Sequence, residues 1–574
     1  MTQWPALFVP IIISTIWRQC YGEVFSSTAH MQSVISTEIE MVKQLEEYIA
    51  LQEAKVDKLA KYIDKLSALS EDAEKHGILH PAVAFLHSKV LSRDLDELIE
   101  YYTKHREAEQ KAESIRAFRK KQPFAPDEND LRGAVIALTR LQRTYKITAK
   151  ELADGSSPAL PTDQPKMSVS DCYTVANELF KQEWYDQSYE WFEIVWNRCT
   201  NRASGILLPD PDGECTASVV ASALAKSSYI LYHVDMNTTA AVLQAAEALA
   251  YEESNRDALD YIKLYYTPLS DYHEDLVNWT QSDQSDAKHP VHRDDRFDSL
   301  CRGEDNDRDH RTKQKRPCYQ ISFDKPFLKA QPVRVEQLSA DPYILIYRNF
   351  MHPKETDHMI RIGTEFLARA VVQRPTHLNG SQAVTDYDMD QVTFTRTAKT
   401  AWFNHDYNEL TRAISARIHQ FTGLDMSGAE QLQLANYGIG GHYYPHYDYF
   451  GHGDPRMEPK ELEKERIATF MVYLTDVQAG GATVFINQNI TVWPRKGDAV
   501  FWYNLHRDGK GHKGTLHAGC PVLAGNKWVL NVWIRTEGQE LIRPCLMQPD
   551  SPTETQATKI VTRISEILMY LKNA

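Results

Sequence analysis

The last third of the chain alternates short apolar segments with glycine-rich turns, and this pattern restricts the fold more strongly than any other feature. The segments are rich in β-branched and aromatic residues and span 467–474, 482–485, 499–503 and 528–534. Turns such as Ala479-Gly480-Gly481 separate them. A run of short strands with such turns predicts a double-stranded β-helix, or jelly roll, which we place at 335–545.

Two histidines and one aspartate in this region have the pattern of a metal site. His446 and Asp448 form an H-x-D pair, and side chains two residues apart on a strand point to the same side. With His517 they would make the facial triad of non-haem Fe(II) oxygenases, which leaves coordination positions open for oxygen and a co-substrate. Lys527 could supply a cation for the far carboxylate of 2-oxoglutarate. An H-x-D pair alone is more often a surface hydrogen bond, but the surrounding strands favour the metal.

The N-terminal half is expected to be α-helical, so the chain is multidomain. A heptad pattern over 35–66 places β-branched residues at position a and leucine at three of the five d positions, which favours a parallel two-stranded coiled coil. A single amphipathic helix packed on its own domain is the alternative. We assign 23–155 to this dimerisation domain. The a positions are Ile35, Val42, Ile49, Val56 and Ile63, and the d positions are Glu38, Leu45, Gln52, Leu59 and Leu66.

A second helical region, at 166–270, is rich in aromatic residues and suggests tetratricopeptide-like helical hairpins. A polar and highly charged stretch at 280–330 is interpreted as a linker. The segment 546–574 is a C-terminal tail to which the sequence assigns no function.

The N-terminus indicates entry into the secretory pathway. Its apolar run at 6–17 is too short to span a bilayer and contains Pro10, so a signal peptide at 1–22, with Gly22 near the cleavage site, fits better. No later stretch is long and apolar enough for a membrane helix. The formal net charge of −14 argues against nucleic acid as a partner.

The cysteines agree with an oxidising compartment. Of the eight, Cys20 would leave with the signal peptide. Cys199 and Cys215 could form a bridge, which would leave Cys172 as an odd thiol, but sequence alone does not fix the pairing. Sequons for N-glycosylation occur at Asn237, Asn278, Asn379 and Asn489, of which the last follows a core strand and is expected to be occluded.

Four segments resemble the catalytic domain of the collagen prolyl 4-hydroxylase α-subunit family: LANYG at 434–438, AGGATVF at 479–485, AVFWYNL at 499–505 and CPVLAGNKW at 520–528. The resemblance covers about 343–545 and weakens towards the N-terminus. It implies Fe(II) on the triad described above and 2-oxoglutarate on Lys527, with Tyr437 and Thr483 lining the pocket. Tyr437 could equally be a core tyrosine.

The same resemblance implies further features. It pairs Cys301 with Cys318, and Cys520 with Cys545. It places Trp533 near the peptide-binding mouth, although a buried aromatic residue would account for it as well. It assigns a proline-rich-peptide groove to the second helical region, with candidate tyrosines at Tyr185, Tyr229 and Tyr232, for which ordinary packing between helices is the alternative.

One position departs from the family pattern. The family places a histidine two residues after the tryptophan, where it is thought to help orient 2-oxoglutarate, and this chain has Arg535. Arginine stays charged and reaches further, so the exchange is not neutral. The metal is expected to bind, while the rate of turnover is in question.

These observations predict a procollagen-proline 4-dioxygenase of the endoplasmic reticulum lumen that uses Fe(II), 2-oxoglutarate and L-ascorbate. The resemblance implies a protein disulfide isomerase β subunit as partner and an α–α dimer, with α2β2 or αβ assembly left open. Two alternatives remain: a dioxygenase of non-collagen proline-rich substrates, and a catalytically weakened subunit that binds proline-rich peptides as a scaffold. The intact triad and Lys527 argue against the scaffold.

Overall fold

The computed structural model describes residues 28–76, 107–121, 128–160, 166–201, 205–210, 213–271, 295–304, 317–322, 329, 332–370, 395–450 and 465–546. The predicted signal peptide, the sequons at Asn278 and Asn379, most of the predicted linker and all but the first residue of the tail lie outside these residues. The chain divides into two compact units, Met1–Val24 with Ala29–Asp127 and Phe25–Thr28 with Glu128–Ala574, which we describe separately.

The described part of the first unit is made of two helices, α1 (Thr28–His76) and α2 (Glu107–Lys121). Ion pairs join them, Lys55 with Glu109 and Lys111 with Glu47. The heptad stripe of α1 remains exposed: Ile35 and Ile49 show 51% and 54% of their surface. Within the described residues, the stripe is therefore not covered by the helix's own domain. The coiled coil stays a prediction that this exposure favours.

The second unit begins with seven helices that pack around one core. They are α3 (Glu128–Tyr145), α4 (Ala149–Asp154), α5 (Val169–Lys181), α6 (Tyr185–Cys199), α7 (Ala217–His233), α8 (Thr238–Tyr251) and α9 (Arg256–Asp271). Thr148 and Ser168 begin α4 and α5 with reciprocal capping boxes, which satisfy backbone N–H groups at each helix start. The core is dominated by Trp191, Phe192 and Trp196 of α6, all fully buried. A bridge between Cys199 and Cys215 closes the loop that contains β1 (Thr200–Asn201) and β2 (Ile206–Leu207).

Strands dominate the remainder of this unit. They are β3 (Cys318–Ile321), β4 (Val333–Ala340), β5 (Tyr343–Arg348), β6 (Ala368–Arg369), β7 (Lys399–Phe403), β8 (Leu432–Tyr437), β9 (Tyr443–His446), β10 (Arg466–Tyr473), β11 (Ala479–Gly480), β12 (Thr483–Phe485), β13 (Ile490–Val492), β14 (Ala499–Tyr503), β15 (His517–Gly519), β16 (Val522–Ala524) and β17 (Lys527–Arg535). Helices α10 (Asp295–Cys301), α11 (Pro353–Thr364) and α12 (Glu409–Thr422) accompany them. The four apolar segments singled out in the sequence are all strands, so the prediction of a helical first half and a strand-rich second half is confirmed.

Two sheets enclose the core of this region. The larger has nine strands in the order β3-β4-β5-β14-β10-β17-β8-β7-β6, and the smaller has four in the order β13-β12-β15-β9. Tyr473 and Trp502 of the large sheet share one buried cluster with Phe485 and Val492 of the small sheet. The two sheets therefore face each other, and the functional side chains considered below lie between them. Strands β11 and β16 form a separate two-stranded sheet.

The disulfides implied by the family resemblance are not those of the structure. Cys301, at the end of α10, is bonded to Cys520, with a Cα–Cα distance of 5.5 Å. Both residues are buried in the cluster that α10 forms with β12 and β15. Cys318 and Cys545 are exposed, and neither is bonded to the partner that the resemblance implied, while Cys172 is a buried thiol. The predicted pairing is wrong because the packing of α10 on the small sheet, which sequence separation does not reveal, selects the partner of Cys301.

We expect non-reducing peptide mapping to recover a peptide pair joined by Cys301 and Cys520. Because the bridge closes a long loop, replacing Cys301 by serine should lower the free energy of unfolding by about 2–5 kcal/mol in a denaturant titration. Replacement of the exposed Cys545 by serine is the control and should change it by less than about 0.5 kcal/mol. Recovery of Cys301 joined to Cys318 would contradict the structure.

The sequons that the structure describes lie at the surface. Asn237 is exposed and its side chain caps the start of α8 by accepting a hydrogen bond from the backbone N–H of Ala240. Asn489 is also exposed, so the expectation that it is occluded is wrong: the short turn at 486–488 after β12 carries it to the surface. Among the described helices, none is long and apolar enough to cross a membrane.

Candidate metal centre

Strand pairing brings the two histidines and the aspartate together. β9 and β15 are antiparallel neighbours in which His446 lies directly opposite His517. Asp448 follows two residues after His446 and turns its carboxylate between the two rings. Its Oδ1 lies 3.6 Å from Nε2 of His446, and its Oδ2 lies 3.6 Å from Nε2 of His517. One donor atom from each residue therefore lies within 4.8 Å of the others.

Neighbouring groups fix the orientation of each donor. Nδ1 of His446 lies 2.7 Å from the carbonyl oxygen of Tyr444, and Nδ1 of His517 lies 2.9 Å from that of Thr515. Because a carbonyl can only accept, each Nδ1 carries the proton and each Nε2 presents its lone pair to the centre. The Oγ1 of Thr469 donates to Oδ2 of Asp448 at 2.8 Å, which holds the carboxylate in place.

The protonation states suit a divalent cation. Burial, together with the adjacent His517, lowers the pKa of His446 to about 3, so its imidazole is neutral at pH 7. Burial opposes ionisation of Asp448, but the histidines, Arg466 and the Thr469 hydroxyl outweigh it and lower the pKa of this carboxyl. Two imidazoles and one carboxylate on one side of a cavity form the donor set of an Fe(II) site with open positions. The residues present therefore fit Fe(II).

A buried ammonium lies in the same cavity. Lys527 begins β17, where it pairs with Tyr437 of β8, and it is 4% exposed. Its Nζ donates to Oγ1 of Thr483 at 3.4 Å and faces the rings of Tyr437 and Tyr473 at 5.7 and 5.8 Å. Burial lowers the pKa of Lys527 to about 7. Within the described part of the chain no carboxylate pairs with this ammonium, so it is suited to receive one from a ligand, such as the far carboxylate of 2-oxoglutarate.

The cavity has a second cation that the sequence reasoning missed. Arg396 is 5% exposed, lines the cavity with Lys527, and places its guanidinium 4.8 Å from the ring centre of Tyr443. Its Nη2 donates to Gln433 at 2.9 Å, while its buried Nε has no hydrogen-bond partner within the described residues. Tyr443 in turn stacks on His446 at 3.6 Å. In the sequence Arg396 is a single arginine before β7, with no motif or spacing that distinguishes it.

Arg535 does not line the cavity. Four residues at alternating positions of β17 line the cavity: Lys527, Val529, Asn531 and Trp533. Arg535 is the next position in this alternation and the last residue of the strand. Its Nη2 instead lies 2.8 Å from Oε1 of Glu430, a carboxylate that also binds Arg466 through two contacts. The guanidinium of Arg535 also lies 4.9 Å from the ring centre of Phe450. The structure therefore places Arg535 in an ion-pair network beside the cavity.

The candidate peptide-binding residues lie in two places. Tyr185 of α6 and Tyr229 of α7 are half-buried, with ring centres 5.9 Å apart, and Tyr229 also contacts Tyr261 of α9 at 5.0 Å. Tyr232 forms a neighbouring pair with Tyr265. Trp533 is at the catalytic cavity, 6.0 Å from the exposed Trp402. The tyrosines thus form one continuous aromatic surface on the helices, separate from Trp533.

A second group of two histidines and one aspartate has a different construction. Asp341, His506 and His512 also bring donor atoms within 4.8 Å. Nδ1 of His512, however, accepts the backbone N–H of Gly514 at 3.0 Å, so the proton of a neutral ring is on Nε2 and is donated to Asp341 at 2.7 Å. No lone pair of His512 is then directed at a metal. We interpret this group as a carboxylate–imidazole hydrogen bond.

Comparisons with known proteins identify relatives of this chain. Residues 27–158 match the model of the prolyl 4-hydroxylase alpha-subunit N-terminal region, and residues 432–535 match that of the 2OG-Fe(II) oxygenase superfamily. The chain is 32% identical to prolyl 4-hydroxylase subunit alpha-1 of Gallus gallus, over 92% of this chain and 99% of that one. It is 31% identical to subunit alpha-2 of Caenorhabditis elegans, over 94% and 96% respectively. A solved viral collagen prolyl hydroxylase from Paramecium bursaria Chlorella virus-1 is 26% identical, covering 33% of this chain and 95% of its own, with a TM-score of 0.26.

Proposed function

The chain belongs to the prolyl 4-hydroxylase α-subunit family, and we propose that the prolines it acts on lie in collagen-like Gly-X-Y peptides. It is a proline dioxygenase that uses Fe(II) and 2-oxoglutarate. One observation carries the assignment of the site: His446, Asp448 and His517 share a cavity with a buried ammonium, Lys527, which no carboxylate of the described residues neutralises.

Bound at this centre, Fe(II) would supply the oxidative chemistry that couples the decarboxylation of 2-oxoglutarate to the hydroxylation of proline. The chain's own residues bind and orient. His446, Asp448 and His517 hold the metal, and Thr469 fixes the carboxylate of Asp448. Lys527 and Thr483 bind the far carboxylate of 2-oxoglutarate, and burial keeps water from competing for it.

The peptide would enter the catalytic cavity beside Trp533 and Trp402. The helical region would bind the same peptide at a place remote from the cavity. A proline-rich peptide arrives as a preformed polyproline II helix and docks on aromatic rings. The aromatic surface of Tyr185, Tyr229 and Tyr232 offers such rings. In this proposal α5 to α9 are tetratricopeptide-like hairpins, and the facing nine- and four-stranded sheets are a jelly roll.

Assembly and location are further parts of the proposal. The exposed heptad stripe of α1 supports an α–α dimer. The signal-like N-terminus and the disulfides support the endoplasmic reticulum lumen, with glycosylation of the exposed Asn237. Family membership supports a protein disulfide isomerase β subunit as partner and L-ascorbate as the reductant that restores oxidised iron.

The test is an assay of the purified chain, with and without a protein disulfide isomerase, on (Pro-Pro-Gly) repeats with Fe(II), 2-oxoglutarate and ascorbate. We expect succinate and 4-hydroxyproline in equal amounts. Binding of the repeats without hydroxyproline would favour a scaffold role, for which the exchange at Arg535 is the one supporting observation. Turnover of other proline-rich peptides in preference to the repeats would favour a different substrate.

Replacing Tyr229 with alanine should weaken binding of (Pro-Pro-Gly) repeats. The ring lies at the centre of the aromatic surface, in contact with Phe180, Tyr185 and Tyr261. We expect KM for the repeats to rise about tenfold with little change in kcat, because the docking surface is remote from the reacting atoms. The conservative Tyr229→Phe keeps the ring and is the control. An unchanged KM in the alanine variant would assign the tyrosines to packing.

A further inference from the structure

Helix α3 lies between the peptide-binding helices and the catalytic sheets, and its residues divide into two faces. One face points towards the helices. Val135 belongs to their buried core, and Leu138 packs against it. One turn later, Oε1 of Gln142 accepts the indole N–H of Trp191 at 3.1 Å. Residues 135, 138 and 142 follow helical spacing, so this face is part of the helical domain.

The other face contacts the catalytic domain. Leu141 packs with Leu523, the middle residue of β16. The hydroxyl of Tyr145 donates to the carbonyl oxygen of Pro521, two residues after β15 ends. Thr144 donates to Asp298 of α10 at 2.9 Å. The chain segment that follows the metal ligand His517 is thereby held from outside by one helix.

The most direct contact is made by Arg140. This arginine is 4% exposed, and its Nη1 donates to the carbonyl oxygen of Gly440 at 2.7 Å. Gly440 has a positive φ of 70°, and a Cβ placed on it would lie 2.6 Å from the Cβ of Ala137. Only glycine allows α3 to approach the loop so closely.

The loop held by Arg140 carries two walls of the cavity. It runs from Tyr437, at the end of β8, to Tyr443, at the start of β9, and both rings line the cavity. The N–H of Gly440 donates to the carbonyl of Val522, and the N–H of Val522 donates to the carbonyl of Gly441. The loop is thus fixed to the sheet through its own backbone and to α3 through Arg140.

We propose that α3 is a positioning element of the catalytic site, in which Arg140 and Tyr145 hold the 437–443 loop and the segment after His517 in the geometry that 2-oxoglutarate requires. Arg140 and Tyr145 each donate to a backbone carbonyl of this region, and removing either donor takes one fixed hydrogen bond from the segment it contacts. Since the opposite face of α3 belongs to the helical domain, the helix also makes the co-substrate pocket depend on that domain. The kinetic part of this inference rests on the proposed function; the structural part does not.

The test compares Arg140→Met with Arg143→Met, which alters an exposed arginine on the same helix. In Arg140→Met the carbonyl of Gly440 loses a charged donor. We expect KM for 2-oxoglutarate to rise on the order of tenfold, with KM for (Pro-Pro-Gly) repeats unchanged and kcat reduced less than threefold. Arg140→Lys, which keeps the charge, should recover part of the loss. Arg143→Met should behave as the unaltered protein.

Amide hydrogen exchange gives a readout that needs no turnover. Peptides covering 437–443 and 520–524 should exchange about fivefold faster in Arg140→Met and be unchanged in Arg143→Met. If Arg140→Met does not fold, Tyr145→Phe, which removes only the hydroxyl, should still accelerate exchange at 520–524 and raise KM for 2-oxoglutarate. Unchanged exchange and unchanged KM in the folded variants would overturn the inference. If the unaltered protein makes no hydroxyproline, the proposed function is refuted. Accelerated exchange in Arg140→Met would still support the structural part of the inference.

Discussion

Replacing His446 with alanine should abolish iron binding and lower the yield of hydroxyproline by on the order of 1000-fold or more. His446 supplies one of three donors, and the ring opposite it, His517, lies 4.3 Å away between centres. The two donors that would remain cannot hold Fe(II) in the facial arrangement that leaves positions open for co-substrate and oxygen. Iron content by elemental analysis and hydroxyproline by amino-acid analysis measure the two effects separately.

The second histidine–aspartate group supplies a matched control. His506→Gln removes an imidazole from the Asp341–His506–His512 group, whose donor atoms are as close together as those of the candidate centre. If our interpretation of that group is correct, iron content and turnover are unchanged. Binding of (Pro-Pro-Gly) repeats should be unaltered in both variants, because the aromatic surface lies on α6 and α7. Retention of stoichiometric iron by His446→Ala would refute the assignment of the centre.

Local patterns in the sequence predicted four of the strands and named the candidate ligands. The segment 499–503 coincides with β14, since a short run of aromatic and β-branched residues favours a buried strand. His446 and Asp448 could be paired from their spacing together with the strands predicted around them. That His517 lies opposite His446 depends on the register of β9 and β15, which residue type suggested but spacing could not establish.

Features that depend on packing between distant segments were not accessible in this way. The partner of Cys301 is decided by where α10 lies on the small sheet. The direction of Arg535 is decided by Glu430, a residue on the loop before β8. The contact of Arg140 with Gly440 joins a helix to a turn through a backbone carbonyl, and a carbonyl leaves no mark in the sequence. In each case the sequence lacks the identity of the contacting residue, which local secondary-structure preferences do not supply.

Replacing Lys527 with methionine should weaken the binding of 2-oxoglutarate by roughly 100-fold. Methionine keeps most of the length of the side chain and removes the charge, so the far carboxylate of the co-substrate would be buried without a counter-ion. Titration calorimetry on protein loaded with Mn(II) as a redox-inert substitute measures the affinity without turnover. An affinity within a factor of three of the unaltered protein would exclude Lys527 as the carboxylate partner.

The same lysine should make the affinity depend on pH. Burial lowers the pKa of Lys527 to about 7, and the other groups that face its ammonium are the phenols of Tyr437 and Tyr473 and the hydroxyl of Thr483. Below pH 7 the amine is already charged when the ligand arrives. Above pH 7 it is neutral, and since the carboxylate favours the ammonium, binding must take up a proton.

The sign of the effect follows from this proton uptake. The dissociation constant of 2-oxoglutarate should be flat below pH 7 and rise above it, by up to about tenfold per pH unit. Calorimetry in buffers of different ionisation enthalpy should show proton uptake of up to one per ligand at pH 8.5. Lys527→Arg should abolish this uptake, because a guanidinium stays protonated throughout the range. A dissociation constant independent of pH between 7 and 9 in the unaltered protein would mean that Lys527 is charged in the empty pocket, and that its burial is offset by a partner other than those described.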